Sequence, residues 1–144
     1  MTLTVARLLS SKGHDLWSIA PDATVYDAIA LMAEHGIGAL LVMDGEQLLG
    51  IVTERDYARK VILQDRSSRD TPVSTIMSKD IQTVRPDHSI EACMALMTEK
   101  RIRHLPVVQD GHVIGILSIG DLVKFIIADR ETLIEQLEGY ITGR

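Results

Sequence analysis

The sequence predicts an α+β fold in which two β-α-β-β-α repeats pack through a pseudo-twofold axis, followed by a C-terminal helix. The first observation is a repeated heptapeptide, because "GIVTERD" at 50–56 returns as "GILSIGD" at 115–121. The second is a constant offset, since Pro21 and Pro86 are 65 positions apart and so are the two heptapeptides. A half-unit of about 60 residues buries too little surface to be stable by itself, so the two copies are expected to share an interface.

Each copy is predicted to open with a short strand and a helix. The strands are assigned to residues 16–20 and 81–84, and a Pro-Asp turn follows each of them. Thr24 and Ser89 then supply N-caps, because a hydroxyl oxygen accepts a free backbone N–H of the first helical turn. Apolar residues recur after both caps at helical spacing, which predicts one amphipathic helix in each copy.

A hairpin and a second helix complete each copy. Two apolar runs are separated by Asp44-Gly45 in the first copy and by Asp110-Gly111 in the second, a pattern that predicts β-hairpins. Each heptapeptide then leads into a helix, predicted over residues 56–63 and 121–128. The order of elements in each copy is therefore β-α-β-β-α.

These assignments divide the chain into four segments. The repeats span residues 5–63 and 73–128, the polar stretch 64–72 links them, and residues 129–144 form the C-terminal helix. That helix carries an apolar stripe made of Leu133, Ile134, Leu137, Tyr140 and Ile141. Because the stripe lies outside both repeats, it either covers the module or pairs with a second copy of the chain. We favour pairing, and therefore expect a homodimer.

Composition restricts the classes of protein to which the chain can belong. Apolar residues make up 46% of its 144 residues, so a folded core is expected rather than disorder. The net charge of -5 argues against broad binding to nucleic acid or to an anionic membrane, which needs a basic face. Cys93 is the only cysteine, so no intrachain disulfide can form, and its place on an apolar helix stripe predicts a core residue. The opening residues are too few and too polar for a signal peptide, and we expect a cytoplasmic protein.

The repeated heptapeptide has two interpretations. In the structural one, Thr53 and Ser118 cap helices while Asp56 and Asp121 stabilise the first helical turn, as in a capping box. In the functional one, each carboxylate accepts hydrogen bonds from the two hydroxyls of a ribose, as acidic residues do in dinucleotide-binding folds. We retain both, because the motif recurs after the same strand at the seam between the copies, where ligand clefts tend to form.

The repeat resembles a known family through its Gly-apolar-apolar-[Thr/Ser]-x-x-Asp ending and its strand "RHLPVV" at 103–108. It is similar to a tandem cystathionine β-synthase (CBS) domain pair, often called a Bateman module, over roughly residues 5–128. The resemblance implies two clefts for adenosine-containing ligands: AMP, ADP, ATP and in some members NAD or S-adenosylmethionine. It also implies that the module has neither catalytic activity nor a catalytic cofactor of its own.

The resemblance further implies roles for particular residues. Asp56 and Asp121 would hold ribose hydroxyls, with Thr53 and Ser118 near the ribose or the phosphate. The residues implied to frame the adenine, chiefly through their backbone, are Ser18, Ile19, Gly38, Ala39, Leu40, Thr83, Val84, His104, Leu105 and Pro106.

A basic cluster precedes the strand of the second copy. Lys100 and Arg101 suit the end of a helix, where cations complement the helix dipole. Arg103 and His104 stand where the resemblance implies phosphate contacts. The planar fork of Arg103 suits a phosphate, and His104 would add a charge that depends on pH.

The two clefts are expected to be unequal. Gly38 and Ala39 align with the Arg–His pair of the second copy and carry no such groups. Either the corresponding cleft is weak, or it takes cations from across the seam, or Gly36 and Gly38 admit a larger ligand such as a dinucleotide. Arg55 is a further candidate for phosphate binding, with simple solvent exposure as the alternative.

The sequence therefore predicts a regulatory module that senses an adenine nucleotide and signals by conformational change to an unidentified partner protein. It has no Walker A loop, no complete dinucleotide fingerprint, no metal-ligand spacing and no nucleophile–base pair at a recognisable spacing. A scaffold that binds no ligand is the main alternative, and a nucleotide-processing enzyme is a weaker one. Trp17 either stacks on a base or packs against a neighbouring surface.

Overall fold

A computed structural model describes residues 3–141 and has the α+β fold, the two repeats and the C-terminal helix that the sequence predicts. Its helices are α1 (Val5–Lys12), α2 (Val25–His35), α3 (Glu54–Tyr57), α4 (Val73–Ile76), α5 (Ile90–Lys100) and α6 (Ile119–Ile141). Its strands are β1 (Ser18–Ile19), β2 (Ala39–Asp44), β3 (Gln47–Thr53), β4 (His104–Gln109) and β5 (His112–Ser118). Within this range β1, β2 and β3 form one sheet, with β1 parallel to β2, and β4 and β5 form another.

The two hairpins are built alike, and each brings the hydroxyl residue of its motif next to the start of the preceding strand. Ala39 pairs with Thr53 across β2 and β3, and His104 pairs with Ser118 across β4 and β5. The helix that follows then begins at the next residue, Glu54 or Ile119. The pairing register therefore fixes where each heptapeptide lies relative to the seam.

The repeats exchange their leading helices. Val5, Leu8 and Leu9 of α1 are at most 2% exposed and pack into the core of the second repeat. Val73 and Ile76 of α4 are fully buried in the core of the first repeat. Since burying an aliphatic side chain of this size contributes about 1.5–3 kcal/mol, neither repeat is complete without the segment that precedes the other. Neither helix was predicted from the sequence.

The first strand of each copy is shorter than predicted. Instead of residues 16–20, the first copy has Ser18–Ile19 paired with β2. Instead of residues 81–84, the second copy has a single parallel bridge between Val84 and Val107. Each segment pairs with a neighbouring strand on one side only. A proline, Pro21 or Pro86, follows within two residues and ends the stretch over which a strand can form.

The helices after the heptapeptides also differ from the prediction. In the first copy α3 has four residues and continues as a π-helical turn, Ala58–Ile62. In the second copy α6 runs without a break into the segment predicted as a separate helix over 129–144. The sequence has no proline after Pro106 and no glycine between Gly120 and Gly139, so no stop signal interrupts α6.

The outer half of α6 exposes the predicted apolar stripe. Leu133, Ile134 and Leu137 are 52%, 53% and 54% exposed. The side chains of Tyr140 and Ile141, which the prediction included, lie outside the described residues. Across residues 3–141 the structure contains no helix with the length and apolar character needed to span a membrane.

Candidate functional site

Both heptapeptides have the capping geometry expected from the sequence. Asp56 N donates to Thr53 Oγ1 at 3.1 Å, and Thr53 N donates to Asp56 Oδ2 at 3.0 Å. Asp121 N donates to Ser118 Oγ at 3.1 Å, and Ser118 N donates to Asp121 Oδ2 at 2.8 Å. These bonds stabilise α3 and α6 by pairing N–H groups that have no partner within the helix. The cap occupies Oδ2 of each carboxylate.

A lysine ammonium pairs with each of these carboxylates. Lys60, one helical turn after Asp56, places Nζ 3.1 Å from Asp56 Oδ1. Lys12, at the end of α1, places Nζ 2.6 Å from Asp121 Oδ2. The first pair is local in sequence, whereas the second joins the exchanged helix α1 to the first turn of α6.

The two carboxylates differ in how many of their oxygens already have hydrogen-bond or ion-pair partners. Asp56 is buried, and the cap and Lys60 engage both of its oxygens. Asp121 has a side chain that is 25% exposed, and its Oδ1 accepts no hydrogen bond from residues 3–141. Partial burial acts to raise the pKa of Asp121, but hydrogen bonds from Lys12 and Ser118 outweigh it and hold that pKa below its usual value. Asp121 Oδ1 is therefore ready to accept a hydroxyl.

A cavity of about 450 Å³ opens beside Asp56, and we call it the Asp56 cleft. The first repeat contributes Thr53 and Asp56, while the second contributes Arg101, Arg103 and the start of β4. The remaining wall is the segment 78–82, which comes just before Val84, the residue that bridges to β4. The full lining is Gly38, Ile51, Thr53, Glu54, Arg55, Asp56, Ser78, Asp80, Ile81, Gln82, Arg101, Ile102, Arg103, His104 and Pro106.

A second cavity, of about 420 Å³, opens beside Asp121, and we call it the Asp121 cleft. The second repeat contributes Ser118 and Asp121, while the first contributes the glycine-rich start of β2. The full lining is Lys12, Asp15, Trp17, Gly36, Ile37, Gly38, Ala39, His104, Ile116, Ser118, Gly120, Asp121 and Lys124. Each cleft therefore combines the motif of one repeat with the strand start of the other, and cations reach both.

Gly38 and His104 line both clefts, so they lie where the two cavities approach each other. A Cβ at Gly38 would be 2.9 Å from Glu54 Oε1 and 3.9 Å from His104 Cε1, so a side chain there would require the flexible end of Glu54 to move. Burial lowers the pKa of His104, Asp121 acts in the opposite direction, and Lys12 adds to the lowering. His104 is therefore mostly neutral at neutral pH.

Trp17 lines the Asp121 cleft and packs against a neighbouring ring. Its indole stacks on the His35 imidazole with centroids 3.5 Å apart and an interplanar angle of 14°. Trp17 is nevertheless 40% exposed. The contact with His35 is therefore of the packing type that the sequence offered as one alternative. Stacking of Trp17 on the base of a ligand stays a prediction.

The structure brings together most of the predicted site residues. On the Asp56 cleft lie Thr53, Arg55, Asp56, Arg103 and Pro106, on the Asp121 cleft lie Ala39, Ser118 and Asp121, and on both lie Gly38 and His104. Six predicted residues line neither cleft in the described part of the chain: Ser18, Ile19, Leu40, Thr83, Val84 and Leu105. Leu40 and Leu105 are fully buried and Val84 nearly so, because the cores cover the side chains of these strands. Their side chains therefore belong to the cores, and only their backbone stays a candidate for contact with a ligand.

Other cleft residues were not predicted. Asp15 and the segment 78–82 line the clefts where Ser18, Ile19, Thr83 and Val84 were expected. Trp17, which the sequence offered only as a base-stacking alternative, also lines one of them. Lys60 could have been found from its i+4 spacing to Asp56. Lys12 could not, because its contact depends on the exchange of α1.

Comparison with known proteins identifies related sequences and structures. A family model described as "CBS domain" matches residues 7–63 and again residues 73–128. Among curated proteins, the mitochondrial CBS domain-containing protein CBSX3 of Arabidopsis thaliana is 43% identical over 150 residues, covering 97% of this chain and 72% of the relative.

Solved structures have the same fold. A protein with CBS domains from Burkholderia ambifaria is 56% identical, and the match covers 88% of this chain and 95% of that chain with a TM-score of 0.85. A hexameric CBS-CP12 protein from bloom-forming cyanobacteria is 31% identical, covering 85% of this chain and 67% of that chain with a TM-score of 0.76.

Proposed function

The chain belongs to the CBS domain family, of which it carries two copies in tandem, and we propose that it is a regulatory module that binds an adenine nucleotide in the clefts between them. The family and fold inferred from the sequence are confirmed. Beyond the family and the fold, we propose that the ligand is AMP, ADP, ATP or NAD(H). We also propose that its binding sends a conformational signal to a partner protein.

One observation carries the proposal: each cleft is shared between the repeats. Asp56 lines the same cavity as Arg103 of the second repeat, and Asp121 lines the same cavity as Ala39 of the first. A ligand that contacts both walls stabilises one relative arrangement of the repeats. The resulting shift is limited by the difference in the ligand's affinity for the two arrangements.

The hydrogen-bonding state of the carboxylates determines how a ribose is held. In the Asp121 cleft, Oδ1 of Asp121 accepts a ribose hydroxyl without displacing a protein group. In the Asp56 cleft, a ribose hydroxyl must share Asp56 with Lys60, or replace the Thr53 hydroxyl that donates to Oδ2 at 3.1 Å. Ribose binding therefore costs more in the Asp56 cleft, which has arginines to offset that cost.

A thermal-shift panel tests the proposal. The wild-type chain is heated with AMP, ADP, ATP, NAD, NADH and S-adenosylmethionine in turn. A ligand at 100-fold excess over its dissociation constant raises the free energy of unfolding by about 2.7 kcal/mol. Absence of any shift would end the sensing role and leave the scaffold. If chromatography showed that the chain converts a bound nucleotide into another compound, the result would instead favour a nucleotide-processing enzyme.

We also propose that α6 pairs with a second copy of the chain. Val123, Ile127, Ile134 and Leu137 are 42–54% exposed and recur at spacings of four, seven and three residues, which places them along one face. An antiparallel pair centred between Arg130 and Glu131 sets Ile127 against Ile134 of the second copy, and Arg130 against the second copy's Glu131. This charge complementarity favours a symmetric dimer, in which the same patch serves both chains.

Two further expectations stay proposals. Assembly of CBS proteins has a precedent in the hexameric cyanobacterial protein, but the dimer of this chain is our inference. The cytoplasmic location also stays a prediction, and the Arabidopsis relative is mitochondrial.

A further inference from the structure

A cavity of about 300 Å³ adjoins the Asp56 cleft and has a strongly basic lining. Three arginines line it, together with Thr98 and three apolar residues; the arginines are Arg55, Arg101 and Arg103, and the apolar residues are Met97, Ile102 and Ile119. The same three arginines also line the Asp56 cleft, so they lie where the two cavities adjoin. In the described part of the chain, no carboxylate lines this arginine cavity, and none of the three guanidinium groups forms an ion pair.

The first repeat has an equivalent cavity without this charge. It measures about 280 Å³, and six of its seven lining residues lie 65 positions before lining residues of the arginine cavity, so Gly36 and Gly38 stand where Arg101 and Arg103 do. Its charged lining residue, among those described, is Glu54. The same fold is therefore built with glycines in one repeat, and packing does not require the arginines of the other.

Arg101 also occupies a backbone conformation that disfavours a side chain. It ends α5 in the left-handed region with φ 56° and ψ 43°, and Gly36 ends α2 with φ 63° and ψ 37°. Glycine adopts this conformation without strain, whereas a residue with a Cβ is strained there. The local contact at this position uses the Arg101 carbonyl, which accepts from Arg55 Nη1 at 3.3 Å and which glycine would retain. Strain kept where it does not serve packing is typical of a functional position.

We propose that Arg55, Arg101 and Arg103 form a polyphosphate subsite, so that the Asp56 cleft takes nucleoside di- and triphosphates in preference to monophosphates. This inference rests on the proposed function, because the ribose of the same ligand lies at Asp56. Guanidinium groups bind phosphate oxygens in pairs, and three of them around one space offer contacts to successive phosphates. The Asp121 cleft has lysines instead, and its glycine-rich wall offers no equivalent subsite.

Calorimetry without divalent cations tests the subsite. Adenosine, AMP, ADP, ATP and inorganic triphosphate are titrated into the wild-type chain and into Arg101→Gly, Arg103→Gln and Lys100→Ala. Lys100 is the charge-matched control, because it is exposed and adjacent but lines none of the cavities described above. Arg101→Gly relieves backbone strain, so its melting temperature should equal or exceed that of the wild type, and a loss of binding cannot reflect unfolding.

The expected result is selective. ATP binds the wild type more tightly than AMP, and inorganic triphosphate also binds. Arg101→Gly lowers the affinity for ATP by about tenfold, which corresponds to the loss of one charge-assisted hydrogen bond. It changes the affinities for adenosine and AMP by less than about twofold. Arg103→Gln behaves similarly, and Lys100→Ala does not.

Two other results have distinct meanings. Equal loss of ATP affinity in Arg101→Gly and Lys100→Ala, or ATP binding no tighter than AMP, overturns the subsite while leaving nucleotide binding intact. Binding of triphosphate that depends on Arg101, with no binding of adenosine or any adenine nucleotide, overturns the nucleotide assignment and the proposed function together. It would make the cavity a site for free polyphosphate.

Discussion

Lys12 Nζ and Asp121 Oδ2 lie 2.6 Å apart, although 109 positions separate the two residues in sequence. The ammonium also donates to the carbonyl of Ile116 in β5. Through these contacts the exchanged helix α1 is tied to the wall of the Asp121 cleft. Any ligand that engages Asp121 therefore acts beside a connection between distant parts of the chain.

Lys12→Met should reduce the stability of the protein at neutral pH by about 1 kcal/mol or less, since the pair is partly exposed. The pKa of Asp121 is lowered in the folded state, so this group stabilises the fold above its unfolded pKa and loses that contribution as pH falls through the folded pKa. In Lys12→Met the Asp121 pKa rises, because the ammonium is gone while partial burial remains. The cost should therefore be smaller in acid, at a pH below the lowered folded pKa of Asp121, where the carboxyl is protonated in both chains.

Urea unfolding at the two pH values measures this difference, with Lys100→Met as the control for loss of an exposed lysine. An equal loss of stability at both pH values would show that Lys12 acts through packing and its hydrogen bond to the Ile116 carbonyl, and not through its ion pair with Asp121.

Asp121→Asn and Asp56→Asn should each weaken nucleotide binding at their own cleft by about tenfold or more, because a hydrogen bond to a charged acceptor contributes roughly 1.5–3 kcal/mol. Their effects on stability should differ. Asp56 is buried with both oxygens engaged, so its replacement should cost about 1–3 kcal/mol. Asp121 is more exposed, so its replacement by Asn should reduce the free energy of unfolding by less. Calorimetry and urea unfolding measure the two quantities separately.

Asp87→Asn is the matched control, because its side chain is 74% exposed and lies outside both clefts. Loss of stability without loss of nucleotide binding in the two motif variants would show that these carboxylates only cap their helices and do not hold the ribose.

His104→Gln should remove a loss of stability that the wild type shows in weakly acidic solution. Because the pKa of His104 is lowered in the folded state, the unfolded chain binds a proton first as pH falls. Stability therefore declines as pH drops below about 6.5, the usual histidine value, and stops declining below the folded pKa. Above that range the imidazole is neutral in both states and contributes no pH dependence.

The free energy of unfolding, measured from neutral pH downward, should thus fall less steeply in His104→Gln than in the wild type. His112→Gln, with a 61% exposed side chain, should retain the wild-type slope. Parallel curves for all three chains would mean that burial of His104 does not affect its protonation.

Ile134→Glu should convert the dimer to a folded monomer. The side chain is 53% exposed in one copy, so the substitution should change the stability of the monomer by about 0.5 kcal/mol or less. In the antiparallel pair it would place a charge against Ile127 of the second copy. Gln136→Glu adds the same charge away from the apolar stripe and should leave the dimer intact in sedimentation experiments.

A charge exchange tests the orientation of this pair. Arg130→Glu should weaken the dimer by setting like charges opposite each other, and Arg130→Glu with Glu131→Arg should restore it. Failure of the double variant to recover would rule out the antiparallel arrangement.

The sequence predicted the repeated hairpins and caps because their signals are local. Turn residues, the Thr53 and Ser118 caps and the apolar alternation all lie within a few positions of one another. α1 and α4 were missed for the opposite reason: Leu8 or Ile76 is buried only because the other repeat provides a core for it. No local pattern contains that information.

The same distinction explains which site residues were found. Asp121 and Arg103 were found because a motif and a strand start mark them. Leu40 and Leu105 were assigned to the site, through their backbone, because the family resemblance implies it, and tertiary packing covers their side chains. Lys12 escaped prediction because only the exchanged position of α1 brings it to Asp121.

The exchange of α1 and α4 also bears on how such a chain arose. An ancestor with a single copy could have closed its core only by lending its leading helix to an identical neighbour and receiving one in return. With both copies in one chain the exchange is intramolecular, so it does not depend on protein concentration. The two halves also need not be identical, and one carries Arg101 and Arg103 where the other has Gly36 and Gly38.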